Sequence, residues 1–347
     1  MISIIIPVFN AGKSIEKTIK SVINQTYRDI EIICVDDGST DDTLDILKTY
    51  ANQDARIKVF HQKNKGVSGA RNRALCEVTG EFIMFLDSDD WIELNTCEIA
   101  INKMMENKID VVMWPYIREC GNQSLPKVIF QQEYYFNEQE IKRKLHRRFV
   151  GLYEEELASP ETADALCTVW GKLYRREVII DHKITFYDLN EIGTYEDGLF
   201  NLEVFRWVKS ALYIPEYLYH YRRDNNLSLS NKYNSKLKVQ WNRLFDIILK
   251  YIQQNHYGVE YYLALNNRIA FSLIGLGINE YNSSKSVCGR IRELRAIICE
   301  QRYCIAIENL NFKYLPIHWK LFFGLAKYKM AIGIYLMIMI IQKLRGR

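Results

Sequence analysis

No C-x-x-C pair and no zinc-like cysteine–histidine spacing occurs among the eight cysteines of this 347-residue chain, so neither a structural zinc site nor a CxxC redox site is expected. Cys34, Cys76, Cys97, Cys120, Cys167, Cys288, Cys299 and Cys304 lie mostly in apolar stretches, as buried thiols of a reducing compartment do. No basic n-region or small-residue cleavage site stands ahead of Ile2-Ser3-Ile4-Ile5-Ile6, and the body of the protein is therefore expected to stay in the cytoplasm. No G-x-G-x-x-G turn follows that first apolar run, so a dinucleotide laid over a glycine-rich turn is not expected. Acidic residues stop at Glu308, while Lys313, Lys320, Lys327, Lys329, Lys343, Arg345 and Arg347 follow. The net charge of +4 thus joins a slightly acidic body to a basic tail, which fits an anionic partner. Nucleic acid is not among the partners expected.

What is present is a chain that packs. Its hydrophobic content of 48% suits one large domain with an appendage. The run Phe82 to Leu86 carries nothing polar and stops at three carboxylates, Asp87, Asp89 and Asp90, with Ser88 between. Such a run reads as a central parallel strand covered on both faces, and ligands of open α/β sheets gather at the carboxyl ends of such strands. Asp87 and Asp89 offer hard oxygens to one divalent cation, which keeps positions for phosphate oxygens. Helix capping ahead of Ile92-Glu93-Leu94 is the competing account. A calcium loop fails at Trp91 and Ile92, where an oxygen ligand and a glycine are required.

The surrounding pattern alternates. Strands are predicted at Ile2 to Val8, Ile30 to Val35, Ile57 to Phe60, Phe82 to Leu86 and Val111 to Trp114, with helices after Ser14, around Leu44 to Tyr50 and from Gly66. That order predicts a doubly wound α/β sheet. Asp36-Asp37-Gly38 at the end of the second strand is ordinary turn chemistry, yet its position suits a carboxylate that accepts from a pyrimidine or a ribose. Arg118 to Phe136 is expected to form a hairpin or loop. Lys142 to Arg148 and Glu154-Glu155-Glu156 read as solvated surface.

Glu196-Asp197, ahead of the apolar Leu199, Phe200 and Leu202, is a second carboxylate centre. A helix start attracts acids for structural reasons, and the same placement suits a general base. His220 to Ser228 reads as a loop whose Arg222 and Arg223 suit bidentate phosphate contact, with structural salt bridging an equal account. Trp170 is expected to be a core or acceptor-stacking aromatic.

Ser3 to Asn10 (SIIIPVFN), Val35 to Asp41 (VDDGSTD), Asn64 to Asn72 (NKGVSGARN) and Phe85 to Trp91 (FLDSDDW) together resemble the ordered signature of glycosyltransferase family 2, the inverting enzymes of GT-A fold. Val169 to Tyr174 and Tyr195 to Gly198 are similar to later elements of that family. The resemblance implies a Rossmann-like, mostly parallel sheet flanked by helices. It implies that Pro7, Val8, Phe9, Asn10 and Asp37 hold the uracil and ribose of a UDP-sugar, that Arg71 lies on the base with Asn64 nearby, and that Asp87 and Ser88 meet ribose or donor sugar. Lys172, Arg222 and Arg223 join the donor contacts. Asp89, with Asp87 and Asp90, binds Mn2+ or Mg2+ at the diphosphate, and either Asp89 or Asp90 can be the main ligand. Asp197 is the expected base, with Glu196 orienting it or the acceptor.

The expected organisation is a catalytic domain over 1–225, its nucleotide-sugar half 1–115 and acceptor half 116–225, followed by a helical region 226–347. Met330 to Ile341 is apolar but shorter than the roughly 20 residues that cross a bilayer. With its basic flanks, 313–347 reads as a helix lying on an anionic membrane at the inner face, or else as a core helix or a homodimer contact. The expected activity is metal-dependent transfer of a sugar from UDP to a hydroxyl of a glycan, carried on a lipid, in bacterial polysaccharide synthesis. A sugar nucleotidyltransferase is disfavoured because Pro7 to Ser14 offers only Gly12 and Lys13 to a phosphate. An inactive membrane-associated scaffold of the same fold is the third account.

Overall fold

The structure, a computed structural model, describes residues 1–106, 108–121, 123–223 and 233–345. They form two compact units, each discontinuous in sequence. The first takes in Met1–His146, Leu166–Leu189 and the described residues from Tyr195 to Arg223; the second takes in Arg147–Ala165, Asn190–Thr194 and the described residues from Tyr233 on. The expected boundary at 225 and 226 lies outside the described residues.

The first unit opens as the apolar pattern predicts: β1 (Ile2–Val8), α1 (Ile15–Ile23), β2 (Ile30–Asp36), α2 (Thr43–Gln53), β3 (Ile57–His61), α3 (Gly66–Leu75) and β4 (Phe82–Phe85). Every residue of β1, β2 and β4 is buried, which is why these strands read as predominantly apolar runs. There follow β5 (Trp91–Ile92), α4 (Thr96–Glu106), β6 (Val111–Met113), β7 (Tyr116–Cys120), β8 (Gln123–Lys127), β9 (Tyr134–Phe136), β10 (Lys172–Arg175), β11 (Ala211–Tyr213) and β12 (Tyr219–Arg222). The main sheet has eight strands in the order β3-β2-β1-β4-β10-β6-β11-β9, and a second sheet has four in the order β5-β12-β7-β8.

Strand order turns over between β1 and β4, and the chain leaves a gap there. β1 pairs with β2 as far as Val8 but with β4 only as far as Ile5. Leu86 N–H donates to Ile5 C=O, and Asp37 N–H donates to Val8 C=O. Odd-numbered residues of β1 therefore aim toward β4, and the nitrogen of Pro7 faces the side where β4 has already ended. A proline there costs no ladder bond. The result is an open crevice at the carboxyl ends of the parallel strands, the place where this class of sheet binds ligands.

Three local expectations change. Trp91 and Ile92 do not lead into a helix but pair antiparallel with β12, and α4 starts only at Thr96. β12 takes His220 to Arg222 out of the expected loop and sets them, with Tyr219, parallel to β7, while Asp224 to Ser228 lie outside the described residues. The 142–148 run is a solvated face only in part: Lys142 and Arg143 are exposed, whereas His146 is buried with its Nε2 3.0 Å from Leu202 O. Within the second unit, buried Arg147 sets Nη1 and Nη2 on the two oxygens of Glu156, each at 2.6 Å. Of the stretch Arg118 to Phe136, the part to Lys127 lies in a hairpin, β7 and β8, and β9 pairs instead with β11.

The second unit is helical, as expected from 236 onward: Leu237–Gln254, Val259–Tyr281, Val287–Cys299, Gln301–Glu308, Ile317–Lys327 and Ala331–Arg345. Leu273, Ile297, Tyr303, Phe322, Phe323 and Ile338 are buried in its core. Among the described residues no helix is long and apolar enough to cross a membrane.

Candidate active site

The ends of β1 and β2 are tied into one surface. Asn10, with φ 49°, accepts the Thr40 N–H on its Oδ1 at 2.8 Å and donates its own N–H to Ser39 Oγ at 2.9 Å. Gly38 takes φ 78°, which favours glycine, and a Cβ on it would lie 3.0 Å from Asn64 N. The turn can thus approach the start of α3, where Asp37 Oδ1 accepts from Lys65 N–H at 2.9 Å and from Gln62 Nε2 at 2.7 Å. Asp37 is buried, while Phe9, Asn10 and Asn64 are exposed at the rim, Phe9 to 49%. Pro7 and Val8 contribute backbone below them.

The acidic turn after β4 sorts its own carboxylates. Asp90 points inward: Tyr219 O–H donates to its Oδ2 at 2.5 Å and the Arg222 N–H to its Oδ1 at 2.8 Å. Burial, and then the charges of Asp87 and Asp89, raise Asp90 well above the ordinary carboxylate range. Asp89 is exposed and Asp87 half-buried, so the geometry favours Asp89 over Asp90 as a ligand to a cation. Ser88 fixes the turn through its carbonyl, which accepts from Ser14 Oγ at 3.1 Å and Thr18 Oγ1 at 3.0 Å. The following Trp91 is covered by Lys17 Nζ, 2.8 Å from the ring centroid, and stacks on His220 at 5.0 Å.

The second carboxylate centre is built by an unusual backbone. Tyr195, at the start of the helix Glu196–Val204, takes φ 76° and folds its ring over Gly198, where a Cβ would meet it at 2.2 Å. Only glycine at 198 allows that ring its place, and the ring's hydroxyl ends 3.0 Å from buried Cys167 Sγ. The two carboxylates between Tyr195 and Gly198 are thereby set against α3. Arg71 Nη1 donates to Asp197 Oδ1 at 2.7 Å, and its Nη2 donates to Asp87 Oδ1 at 2.8 Å. Glu196 Oε1 lies 3.7 Å from the same guanidinium. Asp197 Oδ2 accepts the Val169 N–H at 3.2 Å.

Electrostatics follow from that burial. Desolvation pushes Glu196 up to about 7, with the Asp197 charge adding to it. Desolvation also raises Asp197 above the usual carboxylate range, against the pull of Arg71. Arg71 would be lowered by burial, but Asp197 and Asp87 hold it above its ordinary value. Lys172, lowered to about 8 by burial, donates to Thr168 C=O and so pins the segment that supplies the Val169 N–H.

The structure thus brings together Asp87, Arg71, Glu196 and Asp197, and separately Pro7, Val8, Asn10, Asp37 and Asn64. It turns three expected roles. Arg71 is buried among carboxylates instead of lying open to a base. Lys172, 3% exposed, holds the Thr168–Val169 segment from behind instead of lying open to a donor. Asp90 is a structural acceptor. Arg222 contributes its backbone N–H, and Arg223 is exposed with its N–H on Glu119 C=O at 2.8 Å. Trp170 is core, stacked on Tyr219 at 4.5 Å. Tyr219 and Tyr195 were missed by sequence reasoning; the alternation Tyr219-His220-Tyr221-Arg222, period two, was the signal for the first. For a divalent cation the protein supplies no cluster of three or more ligating side chains among the described residues. Asp89 with Asp87 is nonetheless a fitting hard-oxygen pair for an ion that takes its remaining ligands from phosphate and water.

Comparison with known proteins gives the family and the fold. The family model described as Glycosyl transferase family 2 matches residues 3–182. EpsH of Bacillus subtilis (strain 168) is 31% identical over 82% of this chain and 78% of its own length. The poly(ribitol-phosphate) beta-N-acetylglucosaminyltransferase TarP of Staphylococcus aureus (strain N315) is 28% identical over 72% of each chain. The crystal structure of S. aureus TarS 1-349 superposes with a TM-score of 0.67 at 18% identity, covering 100% of this chain and 92% of that one. That TarS fragment has also been solved with UDP, at a TM-score of 0.65, and with UDP-GlcNAc, at 0.59.

Proposed function

Since the chain belongs to glycosyl transferase family 2 and is a glycosyltransferase of GT-A fold, we propose that it transfers a sugar from UDP, with inversion and with Mn2+ or Mg2+, to a hydroxyl of a glycan carried on a lipid. The setting is bacterial polysaccharide synthesis at the cytoplasmic face of the membrane. The observation that carries this reading is the single guanidinium of Arg71, which clasps Asp87 of the donor-side turn and Asp197 of the second centre. Donor and acceptor chemistry meet at that clasp. The complexes of TarS with UDP and UDP-GlcNAc support a UDP-sugar as donor.

In this reading the rim of β1 and β2 takes the nucleoside. Asp37 and Asn64 accept and donate at its edge, and the exposed ring of Phe9 offers an apolar face. Asp87 meets the ribose or sugar. Asp89, with Asp87, would hold the cation, which when bound supplies Lewis-acid stabilisation of the leaving diphosphate. Arg223, exposed at the end of β12, adds charge toward the phosphates.

At the second centre the acceptor O–H is attacked for its proton by Asp197 as the oxygen bonds to the anomeric carbon and the bond to the diphosphate breaks. One proton passes to the carboxylate, and UDP leaves as the anion. A carboxylate raised above its usual range is a better base near neutral pH than an exposed aspartate. Glu196 orients the hydroxyl, and Arg71 fixes the carboxylate so that little reorganisation remains.

The test is turnover of a panel of UDP, GDP and dTDP sugars in the presence of Mn2+ or of chelator. Metal-dependent hydrolysis or transfer confined to one UDP-sugar is the expected result. Turnover that prefers another nucleotide, or that is indifferent to chelator, would overturn the donor or the metal part respectively.

A further inference from the structure

The last two helices of the second unit bury one face and leave the other bare. In Ala331–Arg345, the residues Ala331, Ile334, Tyr335 and Ile338 enter the unit's core. Gly277 leaves the space that Ile338 fills, since a Cβ there would lie 2.1 Å from Ile338 Cδ1. The helix is therefore fixed to its unit. Its other stripe, Ile332, Leu336, Met339, Ile340 and Leu344, advances by helical steps and is exposed, Ile332 to 64%. Ile317–Lys327 repeats the arrangement: Phe322, Phe323 and Ala326 are buried, while Ile317, Leu321 and, just past its end, Tyr328 are exposed, Ile317 to 85%. Scattered surface leucines need no account, but two consecutive helices with apolar outer stripes mark an interaction surface.

The chemistry beside the stripes identifies what covers them. Lys320, Lys327, Lys329 and Lys343 are exposed, and no acidic residue follows Glu308. A second copy applied through the same face would set these lysines against their own counterparts, with no carboxylate of the segment to answer them. An anionic lipid surface satisfies both features, apolar side chains entering the acyl boundary and lysines reaching the headgroups. Tyr328, apolar in body and polar at its tip, is the residue type that settles at such a boundary.

We propose that the outer face of residues 317–344 is a docking surface for anionic membrane, on which the helices lie without crossing it. The inference deepens the reading of a lipid-carried acceptor by naming the surface that meets the lipid, and it involves no residue of the catalytic centre.

The test is co-sedimentation of the full chain, without sugar nucleotide, with vesicles of phosphatidylcholine alone or mixed with phosphatidylglycerol. The expected result is salt-sensitive binding, about tenfold or more tighter with phosphatidylglycerol, because each lysine near such a surface contributes. Replacing Ile332, Leu336 and Ile340 together by Ser should reduce binding by about tenfold or more while the thermal melt is unchanged, since all three are exposed; the single variant Ile332→Ser, with a smaller loss, covers a triple variant that folds poorly. Lys320→Gln with Lys327→Gln and Lys343→Gln should abolish the preference for phosphatidylglycerol. Binding that ignores these substitutions, or no vesicle binding at all, overturns the proposal. So does an oligomer seen by light scattering that the serine variant dissociates while vesicles are not bound. These outcomes are read without donor, whereas the turnover panel needs no vesicles, so each reading fails by its own measurement.

Discussion

Arg71 and Asp197, 126 residues apart in the chain, share a 2.7 Å hydrogen bond whose donor also holds Asp87 at 2.8 Å. A lysine keeps the charge but presents one nitrogen in place of the planar fork, so it cannot reproduce the two contacts that Nη1 and Nη2 make. Arg71→Lys should therefore lower kcat by about 100-fold, the scale of a misplaced catalytic group, with a much smaller change in UDP affinity. Steady-state kinetics beside calorimetric UDP titration checks this. Equal losses in both would mean that Arg71 serves the nucleotide and not the base.

Asp197→Asn keeps the shape of the side chain and removes its basicity. Transfer should fall by about 100- to 10,000-fold, the range supplied by general base catalysis, while metal-dependent UDP binding persists. Substantial transfer in this variant would move the base to Glu196.

Glu196 provides the pH signature. Its carboxyl is pushed up to about 7 in the folded protein from 4.5, so between those values the folded state holds a proton that the unfolded state has lost. Stability from this group is present below about pH 4.5 and declines as pH rises through about 7. The full span is on the order of 3 kcal/mol by the usual conversion. Glu196→Gln should flatten that decline, so that Tm falls less between pH 5 and pH 8 than in the parent chain. Parallel melting curves for the two proteins would show it, and identical slopes would assign the pH response elsewhere.

Much of this fold stands openly in the sequence, because β1, β2 and β4 are buried on both faces and are written as mostly apolar runs, broken only by Ser3 in β1 and by Glu31 and Asp36 in β2. The acidic turns at their ends are legible for the same reason. β10 was not legible as a strand: Lys172 to Arg175 is four residues that run antiparallel between β4 and β6, and nothing local announces such an insertion. Nor could sequence separate Asp89 from Asp90. Their difference in exposure depends on Tyr219, 129 residues beyond Asp90, whose hydroxyl donates to that inward carboxylate. Lys172 looked like a phosphate ligand because charge is visible in a sequence and burial is not.

Gly198→Ala tests the backbone device that presents the carboxylates. The added methyl meets the Tyr195 ring at 2.2 Å, and overpacking of this kind costs about 1–3 kcal/mol. Displacing the ring also frees Tyr195 from φ 76°, so Glu196 and Asp197 should lose their setting against Arg71. The expected result is a lowered Tm together with a loss of kcat larger than the fraction unfolded explains.

The two adjacent aspartates should separate cleanly under mutation. Asp89 is exposed, so Asp89→Asn should leave the unfolding free energy within about 0.5 kcal/mol of the parent, as surface changes do, while removing most of the increase in UDP affinity that Mn2+ brings. Tyr219→Phe should do the reverse. It takes the hydroxyl from Asp90 Oδ2 and leaves a buried oxygen without that donor, a cost of about 1–3 kcal/mol, with Mn2+-dependent UDP binding retained in the protein that remains folded. Denaturant melts and UDP titrations with and without Mn2+ on both variants decide the matter. If Asp89→Asn keeps the metal response and Asp90→Asn loses it, the inward carboxylate turns outward when the cation binds, and the assignment of Asp89 fails.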